Sequence, residues 1–411
     1  MPPRHDPLAL PPVPPPAPAS HPLRDRLLAC AFALALAFPP LALIRTATRT
    51  STLFENRPPA AWPTLASATT GWTDFTRAFE RAFADHFGGR NALIRLDHVA
   101  KAGVFGVSPV PNVMIGREGW LFFLGEDGKS LDRHFRGVEP FPDDLVDAVA
   151  RELARRQAAL AARGIAYLVV VVPDKFTIYQ DYLPAWVRRM PQTPLDRLEP
   201  ALTGAGVHFV DLRAPLRKAK AEQRLYFQTD SHWNLLGATI GYRAIVNEMR
   251  RVLAQAKGNA GSAPVDPKLP AYVPGVDTYS GDLARMLGLP GRYTEPDFAP
   301  LGKLLGDPWS RCARRVDAPE PGAPDTGRIE TYMCDRPNLP RAVVFRDSMA
   351  IALIPLLSES FSRVVYVGSR ELDFDIIERE RPDIVIEEMV ERSINAPAAF
   401  PISELRAGSK Q

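Results

Sequence analysis

Arg341-Ala-Val-Val-Phe-Arg-Asp-Ser-Met349 is a short apolar run that stops at an acid and a serine. The unbroken apolar stretch Ala342 to Phe345 suits a strand buried on both faces of a parallel sheet. From Ser348 the pattern reads as a helix reaching about Phe361, so the serine stands at a strand-to-helix junction. The same unit recurs. Tyr167-Leu-Val-Val-Val-Val172, Val207-His-Phe-Val210, Arg363-Val-Val-Tyr-Val367 and Asp383-Ile-Val-Ile386 are further strands. Helical patterns lie between them. One runs from Pro142-Asp143-Asp144 to Arg163-Gly164, with acids in its first turn and glycine at its end. Another runs from about Asn234 to Leu253. Strands alternating with helices predict a doubly wound α/β fold, a parallel sheet flanked by helices.

The second informative stretch is Tyr226-Phe-Gln-Thr-Asp-Ser-His-Trp-Asn-Leu-Leu-Gly-Ala238. Asp230 and His232 are two apart, so in an extended segment they leave the same face. A carboxylate there holds one ring nitrogen while the other points at a nucleophile. Taken alone, Asp-x-His is most often a hydrogen-bonded structural histidine, and a serine after a strand is most often a helix cap. Both motifs sit at junctions on the rim where open α/β sheets collect ligands. Together they make Ser348, His232 and Asp230 a candidate nucleophile, base and orienting acid. The Ser348 amide, at a helix start, is a candidate oxyanion donor. Asp347 neighbours Ser348, points elsewhere and reads as structural. Trp233 reads as packing, and Asn234 as either a helix cap or an oxyanion donor. Lys175 and Tyr179 follow a buried strand and are expected near the same rim, as substrate contacts or as ordinary loop polarity.

These residues resemble a family. Thr229-Asp-Ser-His-Trp-Asn234 is similar to the T-D-x-H-W-N signature of the AlgX/AlgJ-type alginate O-acetyltransferase group of SGNH-hydrolase-like proteins. Arg346-Asp-Ser348 resembles its later G-D-S-type motif, with Arg346 where glycine is frequent; a side chain there crowds the oxyanion region or binds an acidic substrate. Weaker pieces follow in the family's order: Glu55-Asn-Arg57, Asp85-His-Phe-Gly88 with Arg90, Gly116 to Phe123, Val172-Pro-Asp-Lys175 and Glu387 to Arg392. The resemblance implies an acetyl group carried on Ser348 and passed to a hydroxyl of an exported polysaccharide, without a cofactor. It also implies a multi-spanning membrane partner that supplies the acetyl group. Two other readings fit the same residues: a carbohydrate esterase or deacetylase, and a non-catalytic polysaccharide-binding or assembly component.

The remainder sets the context. Residues 1–26 are a Pro-rich tail in which a helix is not expected. Leu27 to Ile44 is 18 residues without a charge, expected as an uncleaved signal-anchor in the inner membrane with the body in the periplasm, a cleaved signal peptide being the competing reading. Arg4, Arg24 and Arg26 precede it and Arg45 and Arg49 follow, so flanking charge does not orient it. Residues 45–110 read as a connecting region, with one amphipathic helix from Trp72 to Lys101 laying Phe75, Phe79, Phe83 and Phe87 on the main body. Val113 to Phe123 reads as a hairpin. The catalytic domain is expected over 111–411, with a loop-rich insertion at about 255–340. Cys312 and Cys334 lie in that insertion and read either as a disulfide, favoured in an oxidising compartment, or as two free buried thiols. The chain has 50 basic and 47 acidic residues and no basic run, which does not favour nucleic acid. No ligand-spaced His or Cys pair suggests a metal site.

Overall fold

The computed structural model describes residues 22–46, 58–64, 71–87, 89–138, 142–257, 278–296, 312–317 and 328–394. It divides into two compact units, Met1–Asp97 and His98–Gln411. Most of the Pro-rich tail, the Glu55-Asn-Arg57 piece and parts of the insertion lie outside the described residues.

The first unit holds α1 (Pro22–Thr46), α2 (Trp72–His86) and the start of α3 (Arg90–Gly103). Helix α1 covers the stretch expected to span a membrane. Among the described residues, however, no helix is long and apolar enough to cross one. The expected amphipathic helix is two helices, broken between His86 and Arg90, where Gly89 adopts a φ of 78°. The α2 aromatics run as a ladder on one helix face. Trp72, Phe75, Phe79 and Phe83 stack successively at centroid spacings of 5.5, 6.4 and 6.3 Å.

In the second unit, β1 (Val113–Ile115) and β2 (Leu121–Phe123) pair as the expected hairpin. Then follow α4 (Asp143–Ala161), β3 (Ala166–Val172), α5 (Lys175–Ile178), α6 (Pro194–Gly204), β4 (Phe209–Asp211), α7 (Arg213–Ala219) and α8 (Leu235–Lys257). The insertion carries β5 (Thr278–Tyr279), α9 (Asp282–Met286), β6 (Glu295–Pro296), β7 (Arg314–Arg315) and β8 (Ile329–Met333). After it come β9 (Arg341–Phe345), a 3-10 turn (Ser348–Ala352), α10 (Ile354–Ser358), β10 (Arg363–Val367), α11 (Phe374–Glu380) and β11 (Ile384–Val390).

Seven strands form the main sheet in the order β4-β3-β11-β9-β10-β8-β7. The five from β4 to β10 are parallel, as their unbroken apolar runs predict. Strands β8 and β7 add antiparallel at one edge. The sheet is therefore mixed, and the insertion read from sequence as loop-rich supplies its last two strands.

Strand β3 shows how the layers arise. All seven of its residues are buried. Leu168, Val170 and Val172 enter a core with Tyr242, Ile245 and Met249 of α8. Tyr167, Val169 and Val171 enter the opposite core with Val146, Val149 and Leu153 of α4 and Leu198 of α6. The period of two thus divides one strand between two helical layers. Each such side chain contributes on the order of 1.5–3 kcal/mol by leaving water. The register pairs Val390 of β11 with Val172 of β3, and Val367 of β10 with Phe345 of β9. The C-terminal ends of these strands therefore form one rim, above which the site is built.

Candidate active site

Ser348 is exposed just beyond the end of β9. Its position is fixed by Asp347. The Asp347 Oδ1 accepts from the Met349 amide at 2.8 Å, and Oδ2 accepts from the Val390 amide at 2.8 Å. The Asp347 amide donates to Glu388 Oε2 at 3.1 Å. Asp347 is thus the structural residue its sequence position suggested, pinning the serine turn to β11. The helix expected from Ser348 is a 3-10 turn followed by the short α10.

Asp230 and His232 lie on a loop closed by a bridge between Tyr226 and Trp233. They meet through a tight turn rather than an extended segment, because Asp230 Oδ1 accepts from the His232 amide at 3.0 Å. The same oxygen lies 2.7 Å from His232 Nδ1, and His232 Nε2 lies 2.9 Å from Ser348 Oγ. With Nδ1–H directed at the carboxylate, Nε2 is the ring's acceptor and faces the serine hydroxyl. Burial would raise the Asp230 carboxyl. The hydrogen bond and charge of His232, with donors at Tyr279 and Asp282, hold it below the usual carboxylate range instead. Burial opposes charging of His232, but Asp230 and the charge of Asp282 raise it above its ordinary value.

The loop's polar backbone is satisfied from two sides. Below it, the buried Lys175 Nζ donates to the carbonyls of Phe227 and Gln228 at 3.1 Å and of Asp230 at 2.7 Å. Above it, Glu295 of β6 accepts from the Gln228 and Thr229 amides at 2.9 and 2.7 Å. Gly281 fits this packing because an added Cβ would sit 2.4 Å from the Thr229 carbonyl.

The other sequence candidates separate accordingly. Lys175 is buried under the loop, and burial lowers its ammonium to about 8. Tyr179 is also buried, accepting from the Leu225 amide at 2.8 Å and stacking on Trp120. Asn234 caps α8, where its Oδ1 accepts from the Gly237 amide at 3.1 Å. Arg346 directs Nη2 to Glu330 Oε1 of β8 at 2.7 Å. It lines a cleft of about 340 Å³ with Ser348, Arg328, Ser369 and Arg370. Cys312 and Cys334 are joined as a disulfide.

Sequence reasoning missed the support under the serine. Arg392 pairs with Asp174, while Glu391 Oε2 accepts from Thr177 Oγ1 at 2.6 Å and from the Asp174 amide at 3.1 Å. Burial pushes Glu391 up to about 7 and Glu388 well above the carboxylate range. The only signal was the charged run Glu387 to Arg392 at the end of an apolar strand. Tyr279, Asp282 and Glu295 were also missed.

Residues 113–300 match a family model described as the SGNH hydrolase-like domain of the acetyltransferase AlgX. That span contains the Asp230–His232 loop and ends before Ser348. The chain is 30% identical over 149 residues to the probable alginate O-acetylase AlgJ of Pseudomonas aeruginosa, covering 34% of each chain. It is 27% identical over 215 residues to the AlgJ of Pseudomonas putida, covering 51% of this chain and 49% of the relative. It therefore spans about half or less of the curated relatives it matches. Among solved structures, the O-acetyltransferase domain of Pseudomonas putida AlgJ aligns at 20% identity and a TM-score of 0.40, over 69% of this chain and 92% of that one. Bacillus cereus PatB1 aligns at 16% identity and 0.46, over 70% and 98%. The family-model match, which falls on the residues that carry this loop, and the AlgJ relatives make the chain similar to the AlgX/AlgJ-type group of SGNH-hydrolase-like acetyltransferases over part of its length.

Proposed function

We propose that the protein is an O-acetyltransferase that carries an acetyl group on Ser348 and passes it to a hydroxyl of a polysaccharide. The observation that carries the reading is the hydrogen-bonded line from Ser348 Oγ through His232 to Asp230. In the first half-reaction Ser348 Oγ bonds the acetyl carbon and its proton moves to His232 Nε2. The donor's bond to that carbon breaks, and the departing atom takes the proton. In the second half-reaction a sugar hydroxyl gives its proton to Nε2 and bonds the acetyl carbon, and Ser348 leaves with the proton returned. Asp230 holds the ring and stabilises the imidazolium in both.

The cleft beside Ser348 carries Arg328 and Arg370, together with Arg346, which is paired with Glu330, and one acid, Asp347. That charge favours an acidic polymer, in keeping with the relatives' naming for alginate, over a neutral one. The uncharged run Leu27–Ile44 supports an anchor in the inner membrane with the body in the periplasm, where a disulfide persists. A multi-spanning membrane protein is the proposed acetyl donor.

A second reading, hydrolysis of acetylated sugar, draws on the exposure of Ser348, since water reaches the same cleft. The test is turnover of a small activated acetyl ester with and without a uronate oligosaccharide. Acetylated oligosaccharide that disappears in Ser348→Ala supports the transferase. Acetate alone, unaffected by the oligosaccharide, supports the esterase. Equal turnover by Ser348→Ala contradicts both.

A further inference from the structure

The insertion sends two side chains into the base loop that the three-residue reading leaves unused. Tyr279 donates its hydroxyl to Asp230 Oδ2 at 2.5 Å, and the Asp282 amide donates to the same oxygen at 2.9 Å. The Asp282 carboxylate then grips the next residue. Its Oδ1 accepts from the Ser231 amide at 2.7 Å and its Oδ2 from the Ser231 hydroxyl at 2.5 Å. That Oδ2 is 3.6 Å from His232 Nδ1, against 2.7 Å for Asp230 Oδ1. The imidazole therefore has two carboxylates on its Nδ1 side, and the Ser231 hydroxyl, 3.2 Å from Nδ1, lies between ring and second acid.

We propose that Asp282 is a positioning residue of the acyl-transfer site: a second carboxylate, brought by the insertion, that fixes Ser231 and His232 and stabilises the imidazolium formed when Ser348 gives up its proton. The proposal rests on the Ser348–His232–Asp230 reading above. A purely structural Asp282 would hold the loop through the Ser231 bonds without changing the basicity of His232. At 3.6 Å a carboxylate does both, since a nearby negative charge favours the charged ring.

Other charges also face this cluster. Arg392, after β11, opposes protonation of His232. Lys175 on α5 feels Asp230, Asp282, Glu295 and Arg224. Arg285 on α9 acts on Tyr279. Substitution of Asp282 alone removes a charge that, with that of Asp230, supports the imidazolium.

The test is the protonation midpoint of His232, followed by NMR in the full chain with labelled histidine and assigned by the resonance lost in His232→Gln. Asp282→Asn and Asp282→Ser are expected to lower the midpoint and to reduce kcat on an activated ester by about ten- to a hundredfold. Asp282→Glu is expected to keep the midpoint near wild type. An unmoved or raised midpoint in the folded Asn and Ser variants overturns the proposal. The midpoint is read without turnover, so the two claims fail separately. Full activity of Ser348→Ala sinks the nucleophile reading, whereas inactive Ser348→Ala with an unmoved midpoint sinks only the role of Asp282.

Discussion

The indole nitrogen of Trp233 donates to the carbonyl of Met349 at 2.8 Å, tying the residue after the candidate base to the residue after the candidate nucleophile. These residues belong to loops more than a hundred positions apart in sequence, and the bond sets the distance at which His232 and Ser348 face one another. The ring is fully buried and packs so closely on α8 that a Cβ at Gly241 would come within 2.8 Å of it.

Trp233→Phe keeps an aromatic ring but removes this donor and leaves the Met349 carbonyl unsatisfied. The expected result is a loss of about 1–3 kcal/mol in urea unfolding and about a tenfold lower kcat. Unchanged activity with reduced stability would show that the bond serves packing alone.

Lys175 gives a pH-dependent prediction. Burial lowers its ammonium from 10.5 to about 8 in the folded protein. Between those values the unfolded chain binds the proton more readily than the folded one, so stability rises with pH there. The gain from Lys175 approaches roughly 3 kcal/mol by pH 10.5 and is absent below about pH 8. Lys175→Met should flatten this rise in unfolding curves taken at pH 8, 9 and 10, and should lower activity by loosening the base loop. A variant whose stability rises as steeply as wild type would refute the assignment.

Arg156 holds together the side of the sheet away from the base loop. It donates to Glu152 Oε1 at 2.9 Å and to Glu387 Oε1 at 2.7 Å, and Tyr167 donates to the other Glu387 oxygen. Removing one partner of a buried pair strands the other charge. Arg156→Leu is therefore expected to cost about 3–5 kcal/mol in denaturant unfolding. Glu387→Gln with Arg156→Leu should recover part of that loss; no recovery would argue that the residues act independently.

The Cys312–Cys334 disulfide closes a loop of sequence separation 22 around β7 and β8. Chain-entropy arguments assign such a loop about 3 kcal/mol. Reduction, or replacement of both cysteines by alanine, should lower Tm by several degrees while leaving the parallel strands protected in hydrogen exchange. Equal loss of protection in β3 and β11 would show that the edge is not a separate element.

How far the sequence carried depended on whether the signal was local. Ala342 to Phe345 is a strand because four adjacent residues say so, and Ser348 follows because the run stops. The Asp230–His232 pairing was legible for the same reason, although its geometry is a turn. Lys175 and Tyr179 were expected at an open rim, but the loop from Leu225 to Asp230 folds over that part of it and buries them. The two edge strands of the insertion are short and bounded by Pro-rich sequence, so no periodicity marked them. Tyr279 and Asp282 had no local signal at all. Their meaning comes from contacts across 49 and 51 residues, and the only trace in sequence is Gly281 between polar neighbours, where backbone meets backbone.

The central claim is that Ser348 carries the acetyl group. Brief incubation of wild type with an activated acetyl ester, acid quench, and peptide mass spectrometry should place an acetyl adduct on Ser348. His232→Ala should show little adduct and Ser348→Ala none. An adduct on another residue, or undiminished acetyl transfer by Ser348→Ala, would contradict the account.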